Sequence, residues 1–501
     1  MYLGIDIGTS GVKSVLVDDA QTLVDQQTQP LELQRPHALW SEQDPEAWWD
    51  ATVTSLDALA ARRTLAGVRA IGLAGQMHGL VLLDAAERVL RPAILWNDGR
   101  SHAECAELER RAPRLRAISG NAAMPGFTAP KLLWVAAHEP EVFRQIAKVL
   151  LPKDYVRLRL TGELASDVSD ASGTLWLDVA ARAWSPELLA ASRVSVAQLP
   201  RLVEGTEPAG QLRAQLASRF GIARAAIVAG GAGDQAGGAA GVGVIQAGQA
   251  LLSLGTSGVI FVARATPTAD PERGVHTFCH CVPGTWHQMS VILSAASCLH
   301  WAAAALGATD EAALLREIEA AAPRPARAIF LPYLSGERTP HNDPSAMGVF
   351  FGLTHATTRA ELGRAVLEGV AFALADGAEA LDHAGARIER LWAIGGGARS
   401  LLWLRILASA LDRNLLVGAG AELGPAFGAA RLARLAATNE APAAVCRAPI
   451  AELEVGPDAA LREVYREQRE LFRGLYGALR ESFATARART TFDGDTETST
   501  R

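Results

Sequence analysis

A glycine-containing pentapeptide occurs twice in this chain, and it constrains the fold more than any other sequence feature. Gly-Thr-Ser-Gly-Val at residues 8–12 recurs unchanged at residues 255–259, close to the midpoint of the 501 residues. Apolar residues alternate on both sides of each copy, which is the pattern of two strands joined by a tight turn. Because a single hydrophobic core stops growing at roughly 250–300 residues, the repeat predicts two related lobes of about 250 residues each.

The two copies differ at the positions that flank the turn. Asp6 precedes the first turn, and its counterpart before the second turn is Ser253. Lys13 follows the first turn, and its counterpart is Ile260. If both turns face one cleft, that cleft is chemically asymmetric, which suits a nucleotide whose phosphates lie between two glycine turns.

The composition excludes several classes of protein. Apolar residues make up 49% of the chain and charged residues 20%, so disorder is not expected over most of it. The formal net charge of −6 argues against a nucleic-acid partner. No run of about 18 apolar residues suggests a membrane span, and the first residues lack the basic and apolar regions of a signal peptide. We therefore expect a cytoplasmic protein.

The five cysteines are odd in number and irregularly spaced, which indicates reduced thiols and not a disulfide framework. Cys279-His280-Cys281 resembles a pair of metal ligands. Alternate positions on one buried strand face explain this run equally well, and no second ligand pair lies at zinc-site spacing. We expect no zinc site.

Short apolar runs alternate with longer helical patterns, which predicts an α/β architecture. Asp44 and the proline after it are typical of a helix start. From about Arg487 the sequence turns to Thr, Asp and Arg, so residues 486–501 are expected to form a disordered tail. The predicted strands are 70–73, 80–83, 93–96, 227–229, 329–331 and 391–394, and the predicted helices include 45–58, 359–380, 401–411 and 459–484.

Three glycine turns are candidates for phosphate binding, because successive backbone N–H groups in such turns point into one concavity. Two are the repeated pentapeptides, and the third follows an apolar run at residues 395–399. Each could alone be an ordinary tight turn, but three of them favour a nucleotide site. Val12 before Lys13 excludes a P-loop, which needs glycine there. The candidate cofactor contacts are Gly8, Thr9, Ser10, Lys13, Gly255, Thr256, Ser257, Gly396, Gly397 and Arg399.

Asp234 is the candidate general base. It lies in a glycine-rich run, residues 230–238, that follows the predicted strand 227–229. A flexible linker is the alternative, but such linkers are rich in serine and polar residues, whereas this run carries one carboxylate among small residues. A carboxylate there could take the proton of an attacking hydroxyl, as kinase aspartates do.

Two polar clusters are candidates for the substrate pocket because they stand at predicted strand ends, where open α/β sheets bind ligands. A polyhydroxylated ligand needs such paired donors and acceptors. His78 is expected to donate to substrate hydroxyls. The alternatives are a structural role for His78 and a local ion pair between Asp98 and Arg100. The candidate substrate contacts are Gln76, Met77, His78, Asn97, Asp98, Arg100 and Gln235.

These residues together resemble the FGGY family of carbohydrate kinases. Residues 5–10 resemble the family's opening phosphate turn, and residues 76–79 and 96–100 resemble its sugar-binding segments. Residues 127–134 (Phe-Thr-Ala-Pro-Lys-Leu-Leu-Trp) and 348–368 resemble its two signatures. Residues 77–78, 83–84, 92–96 and 331–340 point to D-xylulose as the acceptor.

The resemblance, which runs from Tyr2 to about Ala437, implies two actin-like lobes of the ribonuclease-H type around a deep interdomain cleft. Residues 1–246 would bind the sugar and residues 247–485 the nucleotide. The implied reaction is ATP-dependent phosphorylation of D-xylulose to D-xylulose 5-phosphate in xylose catabolism, with Asp234 as catalytic base. Mg²⁺ is the implied metal, and Asp6 would either hold it or orient the sugar. A homodimer is one candidate assembly.

Three other functions compete with this one. A related family member would act on ribulose, a polyol or a sugar acid, although a sugar acid would call for more cations than Arg100 in the two substrate clusters. An ATPase scaffold related to actin or heat-shock proteins needs no sugar pocket. A non-catalytic sugar sensor would tolerate loss of the base, which Asp234 argues against.

Overall fold

The computed structural model describes residues 1–37, 39–222, 226–321, 324–418 and 424–494, with side chains up to residue 487. Strands and helices alternate along the chain, as the α/β prediction requires. The strands are β1 (Tyr2–Ile7), β2 (Gly11–Val17), β3 (Leu23–Pro30), β4 (Glu42–Gln43), β5 (Ala70–Gly75), β6 (Val81–Leu83), β7 (Ala93–Ile94), β8 (Lys148–Leu150), β9 (Ala165–Asp167), β10 (Leu177–Asp178), β11 (Ala183–Trp184), β12 (Arg201–Val203), β13 (Pro208–Gln211), β14 (Ile227–Ala229), β15 (Ala232–Gly233), β16 (Gln249–Leu254), β17 (Gly258–Arg264), β18 (His276–Cys279), β19 (Trp286–Ile292), β20 (Ile329–Leu331), β21 (Val349–Phe351), β22 (Arg390–Ile394), β23 (Leu415–Gly418) and β24 (Ala451–Val455). The helices are α1 (Pro45–Arg62), α2 (His102–Arg111), α3 (Leu115–Ser119), α4 (Thr128–His138), α5 (Pro140–Gln145), α6 (Pro152–Thr161), α7 (Val168–Ala171), α8 (Pro186–Ala191), α9 (Ala214–Phe220), α10 (Asp234–Gly241), α11 (Ala296–Ala305), α12 (Glu311–Ala321), α13 (Arg359–His383), α14 (Leu401–Leu411), α15 (Gly424–Thr438), α16 (Pro442–Val445) and α17 (Ala459–Gly494).

Each half of the chain builds one large mixed sheet, and the two sheets share a topology. The first has the order β13-β14-β5-β1-β2-β3, with β15 also on β5, and the second has the order β18-β19-β17-β16-β22-β23-β24. The first strand of each half, β1 or β16, pairs antiparallel with the next strand and parallel with a later one. The predicted duplication of a lobe is therefore confirmed.

The repeated hairpins differ in register by one residue. In the first hairpin Asp6 pairs with Lys13 and Ile7 with Val12. In the second, Leu254 pairs with Gly258, so Ser253 stands opposite Val259. The expected correspondence of Lys13 with Ile260 holds in sequence but not in the pairing. Only the first hairpin places a cation directly across from a carboxylate.

Helices α10 and α15 join the two halves. Helix α15, from the second half, covers the first sheet, where Ala426 and Ala430 pack with Tyr2 and Ala70. Helix α10, from the first half, is followed by apolar residues that pack on the second sheet. The two helices cross so closely that a Cβ on Gly428 would lie 1.8 Å from the Gly237 carbonyl oxygen. Because no side chain fits there, this crossing requires glycine.

Local signals located the predicted elements well. The predicted strands and helices correspond to β5, β6, β7, β14, β20, β22, α1, α13, α14 and α17. Asp44 caps α1 as expected, its carboxylate accepting from the Glu46 backbone N–H at 3.0 Å. Residues 486–494 of the predicted tail lie within α17, and residues 495–501 lie outside the described residues. The predicted lobe boundary at 246/247 falls between α10 and β16.

Candidate active site

Two aspartates stand at the carboxyl edge of the first sheet. Strands β1 and β15 both run parallel to β5, and Asp6 and Ala232 both lie in register with Ala74. Asp234 follows β15 directly and is the first residue of α10. Parallel strands end at the same edge of a sheet, so Asp6 and Asp234, the two predicted catalytic residues, lie at one edge.

Both carboxylates have raised pKa values. Burial raises the pKa of Asp234 to about 6, against the opposing hydrogen bond from the Gln235 backbone N–H at 2.7 Å. Burial and then the negative charge of Asp234 raise the pKa of Asp6 to about 7, while Lys13 acts to lower it. Asp6 Oδ1 is buried and has no hydrogen-bond partner among the described residues. A carboxylate oxygen in this condition fits a cation.

The first glycine turn is held by a network of buried side chains. Thr9 Oγ1 donates to Gln76 Oε1 and accepts from Trp96 Nε1, both at 3.0 Å. Gln43 Nε2 donates to the Thr9 carbonyl oxygen at 2.7 Å, and Gln76 Nε2 donates to Gln43 Oε1 at 3.1 Å. The Gln76 amide, predicted to contact the substrate, is therefore engaged in positioning the turn. Ser10, at the tip, is exposed.

The second and third glycine turns form one surface at the end of the second sheet. Strands β16 and β22 are paired up to Ser253 and Ile394, so the turns at 255–257 and 395–397 adjoin each other. Gly395 has φ +91°, and a Cβ there would lie 2.7 Å from the Leu254 carbonyl oxygen. Gly396 and Arg399 are exposed beside this surface, and α11 begins against it. The structure thus brings together the predicted nucleotide contacts of the second half.

His78 has its ring fixed as a hydrogen-bond acceptor toward the site. Its Nδ1 lies 2.7 Å from the Gly173 carbonyl oxygen, so Nδ1 must carry the hydrogen and Nε2 the free lone pair. Burial lowers its pKa well below the usual value, which keeps the ring neutral. The expectation that His78 donates to a substrate is therefore wrong. Its backbone, at φ +69°, is held by Thr128 Oγ1 and Lys131 Nζ, which both donate to its carbonyl oxygen at 3.0 Å.

Met77 links this segment to the base. A Cβ on Gly233 would lie 2.8 Å from Met77 Cγ, so Met77 packs against the residue that precedes Asp234. Gly173 approaches Met77 and His78 from the other side, as its Cβ would lie 3.1 Å from Met77 Cε. The predicted Met77-His78 segment therefore lies beside Asp234 and Gln235.

Asp98 and Arg100 form the buried ion pair that was the alternative to substrate binding. Arg100 Nη2 lies 2.7 Å from Asp98 Oδ2, which also accepts from the Ser41 backbone N–H at 2.6 Å. Arg100 Nη1 pairs with Glu42 at 2.6 Å, and the guanidinium lies 3.6 Å above the Trp40 ring. The two charged groups thus stabilise the loop of residues 96–100. Asn97, which precedes Asp98, is exposed.

Arg338 was given no role from the sequence, although it lies within the run 331–340. It comes from the second half of the chain, and its guanidinium lies 6.0 Å from the Trp96 ring of the first half. Its Nη2 would lie 3.2 Å from a Cβ on Gly126. An arginine in a long loop carries no periodic signal, so this contact could not be predicted from the sequence.

A metal site made only of protein ligands is not found among the described residues, where no three His, Cys, Asp or Glu side chains cluster suitably. His280 Nε2 lies 3.0 Å from the Val244 carbonyl oxygen, and the five cysteines are free and buried. Within the described part of the chain, no helix is long and apolar enough to cross a membrane.

Comparison with known proteins identifies the family to which the chain belongs. The model of the FGGY family of carbohydrate kinases matches twice, its N-terminal domain over residues 1–241 and its C-terminal domain over residues 250–437. The chain belongs to this family.

Individual relatives and one solved structure match nearly the whole chain at high identity. The chain is 54% identical to a xylulose kinase of Escherichia coli strain K12 over 481 residues, covering 96% of this chain and 99% of the relative. It is 52% identical to a xylulose kinase of Klebsiella pneumoniae, again over 96% of this chain and 99% of the relative. A crystal structure described as a xyloylose kinase from Brucella ovis matches with a TM-score of 0.92 and 51% identity, over 96% of this chain and 99% of that one.

Proposed function

We propose that this chain transfers the γ-phosphoryl group of ATP to O5 of D-xylulose, giving D-xylulose 5-phosphate and ADP. The observation that carries the proposal is the aspartate pair, Asp6 and Asp234, at the carboxyl edge of the first sheet. The high identity to proteins described as xylulose kinases supports the choice of acceptor.

Asp234 acts as the general base. Its carboxylate accepts the proton of the O5 hydroxyl as the O5–Pγ bond forms and the bond from Pγ to the β,γ-bridging oxygen breaks, releasing ADP. A pKa of about 6 leaves this carboxylate ionised at neutral pH yet more basic than an ordinary aspartate. That is the condition under which a general base works well near pH 7.

Asp6 is the protein's contribution to a Mg²⁺ site. Its unpartnered Oδ1 and the carboxylate donor type fit a hard cation. The lack of a three-ligand protein cluster among the described residues is compatible with Mg²⁺, which commonly takes one or two carboxylates together with substrate phosphates and water. When bound, the ion neutralises charge on the phosphoryl group. The alternative role for Asp6 is to orient the sugar hydroxyl.

ATP is assigned to the glycine surface of the second half. Backbone N–H groups at 255–257 and 395–397 would supply donors for phosphate oxygens. The proposal places the first turn, with Thr9 and Ser10, on the opposite side of the phosphates. Lys13, across from Asp6, adds a positive charge near the phosphates. We place the reaction in the cytoplasm, where buried free thiols persist; the homodimer stays a prediction.

A coupled ADP-release assay tests the function. We expect kcat/KM for D-xylulose to exceed the values for L-ribulose, glycerol and gluconate, since the relatives at 54% and 52% identity are described as xylulose kinases. A preference for gluconate would favour a sugar-acid kinase, and ADP release that is independent of every acceptor would favour a scaffold ATPase.

A further inference from the structure

The loop between β20 and β21 is held rigidly against the second sheet. Glu337 and Asp343 exchange backbone hydrogen bonds at 2.9 and 2.8 Å. Thr339 Oγ1 accepts from the Val291 backbone N–H at 3.0 Å, and Glu337 Oε1 accepts from the Leu293 backbone N–H at 2.9 Å. A side chain on this loop is therefore presented in a fixed position.

Arg338 is the side chain that this loop directs toward the first half. It is partly buried, and among the residues that the structure describes its guanidinium has no hydrogen-bond partner; the charge of the preceding residue, Glu337, acts on it without a direct ion pair. This contrasts with Arg100, whose guanidinium is paired with Asp98 and Glu42. An arginine withdrawn from water without a partner is costly, so Arg338 is placed to meet a group that arrives with a ligand.

The other polar groups near Arg338 mostly accept hydrogen bonds or are already engaged. His78 Nε2 is an acceptor because Nδ1 donates to Gly173. Lys131 Nζ is engaged with the carbonyl oxygens of His78 and Gly126 at 3.0 and 2.8 Å. Acceptors of this kind suit sugar hydroxyls, which have hydrogens to donate. A ketone oxygen can only accept, so it needs a donor such as a guanidinium.

We propose that Arg338 donates hydrogen bonds to the C2 carbonyl oxygen of the acceptor and thereby selects a ketose over the corresponding polyol. This inference rests on the proposed function, because it assumes that a ketose is phosphorylated at its far end, O5. Arg338 is thus a specificity-determining residue that the second half contributes to the sugar pocket of the first.

Arg338 lies on the side of the site formed by Trp96 and Gly126, and its charge also acts on His78 and His276. Burial first, and then the charge of Arg338, lower the pKa of His276 to about 3. Burial, with smaller effects of Lys131 and Arg338, lowers the pKa of His78. The proposal places O5 at Asp234 and the C1–C2 end of the sugar toward Arg338.

The test measures the activity of Arg338→Met and Arg338→Lys on D-xylulose, xylitol and D-arabitol. The two polyols are the products of reducing the C2 carbonyl of D-xylulose to a hydroxyl. We expect Arg338→Met to lower kcat/KM for D-xylulose by about 10²-fold, as expected for loss of a charged hydrogen bond, and to lower it for the polyols by less than about threefold. Arg338→Lys should retain part of the ketose preference. Arg327, exposed just before β20, gives the control Arg327→Met. This variant should leave kcat/KM unchanged for D-xylulose and for the polyols.

The outcomes separate the inference from the function on which it rests. Equal losses on ketose and polyols in both Arg338 variants would overturn the role of Arg338 while D-xylulose kinase activity stands. A wild-type chain that phosphorylates no ketose would overturn both. Because Met removes an unpaired charge, the melting temperature of Arg338→Met should not fall; a selective ketose loss without a lower melting temperature supports recognition and not packing.

Discussion

Replacing Asp234 with Asn should move stability and activity in opposite directions. In the folded chain the pKa of Asp234 is about 6, against an ordinary value of 3.8. At 1.36 kcal/mol per pKa unit, the native state loses up to about 3 kcal/mol when this group ionises. Asn cannot ionise and avoids that cost. At the same time the O5 proton loses its acceptor, and kcat should fall by roughly 10²–10⁴.

The pH dependence gives the sign of the stability effect. The native state binds the Asp234 proton more tightly than the unfolded state, so wild-type stability falls as pH rises from about 4 to about 6. The Asn variant cannot ionise at this position, so it does not lose this stability as pH rises. Its melting temperature, measured by circular dichroism, should exceed that of the wild type by a few degrees at pH 8 and match it at pH 4. Steady-state ADP release at pH 8 measures kcat on the same samples.

Asp50, exposed on α1, gives the matched control Asp50→Asn, which should change neither quantity. The reasoning is refuted by an Asp234→Asn variant that melts lower than the wild type at pH 8 and keeps its turnover. Such a result would make Asp234 a structural residue whose charge the native state favours.

Three further predictions follow from the site and from the helix crossing. Asp6→Asn should raise the Mg²⁺ concentration for half-maximal activity and lower kcat, with Ser253→Ala much less affected; an unchanged Mg²⁺ midpoint with low kcat would assign Asp6 to the sugar. His78→Ala should lower kcat/KM for D-xylulose by about tenfold or more through loss of an acceptor, and an unchanged value contradicts its contact with the sugar. Gly428→Ala places a Cβ 1.8 Å from a carbonyl oxygen and should lower the melting temperature. Gly474→Ala, in open space on α17, should stabilise by about 0.5–1 kcal/mol; similar melting for the two glycine variants would refute the close crossing.

Local sequence determined much of the fold. The repeated hairpins, the cap at Asp44 and the apolar runs each act over a few residues, so their signals can be read directly. The packing of α15 on the first sheet and against α10 could not be predicted in this way. It depends on the packing of segments nearly two hundred residues apart, and periodicity shows that a helix has an apolar face but not which sheet that face covers.

The sequence predicted which residues lie in the candidate site better than it predicted the role of each residue. Asp6, Asp234 and the glycine turns lie where their patterns indicated, because turns and strand ends are local features. Gln76 has the composition of a ligand contact, yet its amide bonds to Thr9, 67 residues away. A polar side chain near a strand end can bind a ligand or hold a turn, and only its tertiary neighbours decide. The same applies to His78, whose tautomer is set by Gly173.

Phosphorus-31 NMR of the products tests the central claim most directly. The full-length chain is incubated with ATP, Mg²⁺ and D-xylulose, and the spectrum is followed over time. The account predicts that ADP appears together with an equal amount of a phosphomonoester coupled to the two C5 protons of the sugar. Release of inorganic phosphate in place of that ester, or an ester at another carbon, would contradict it.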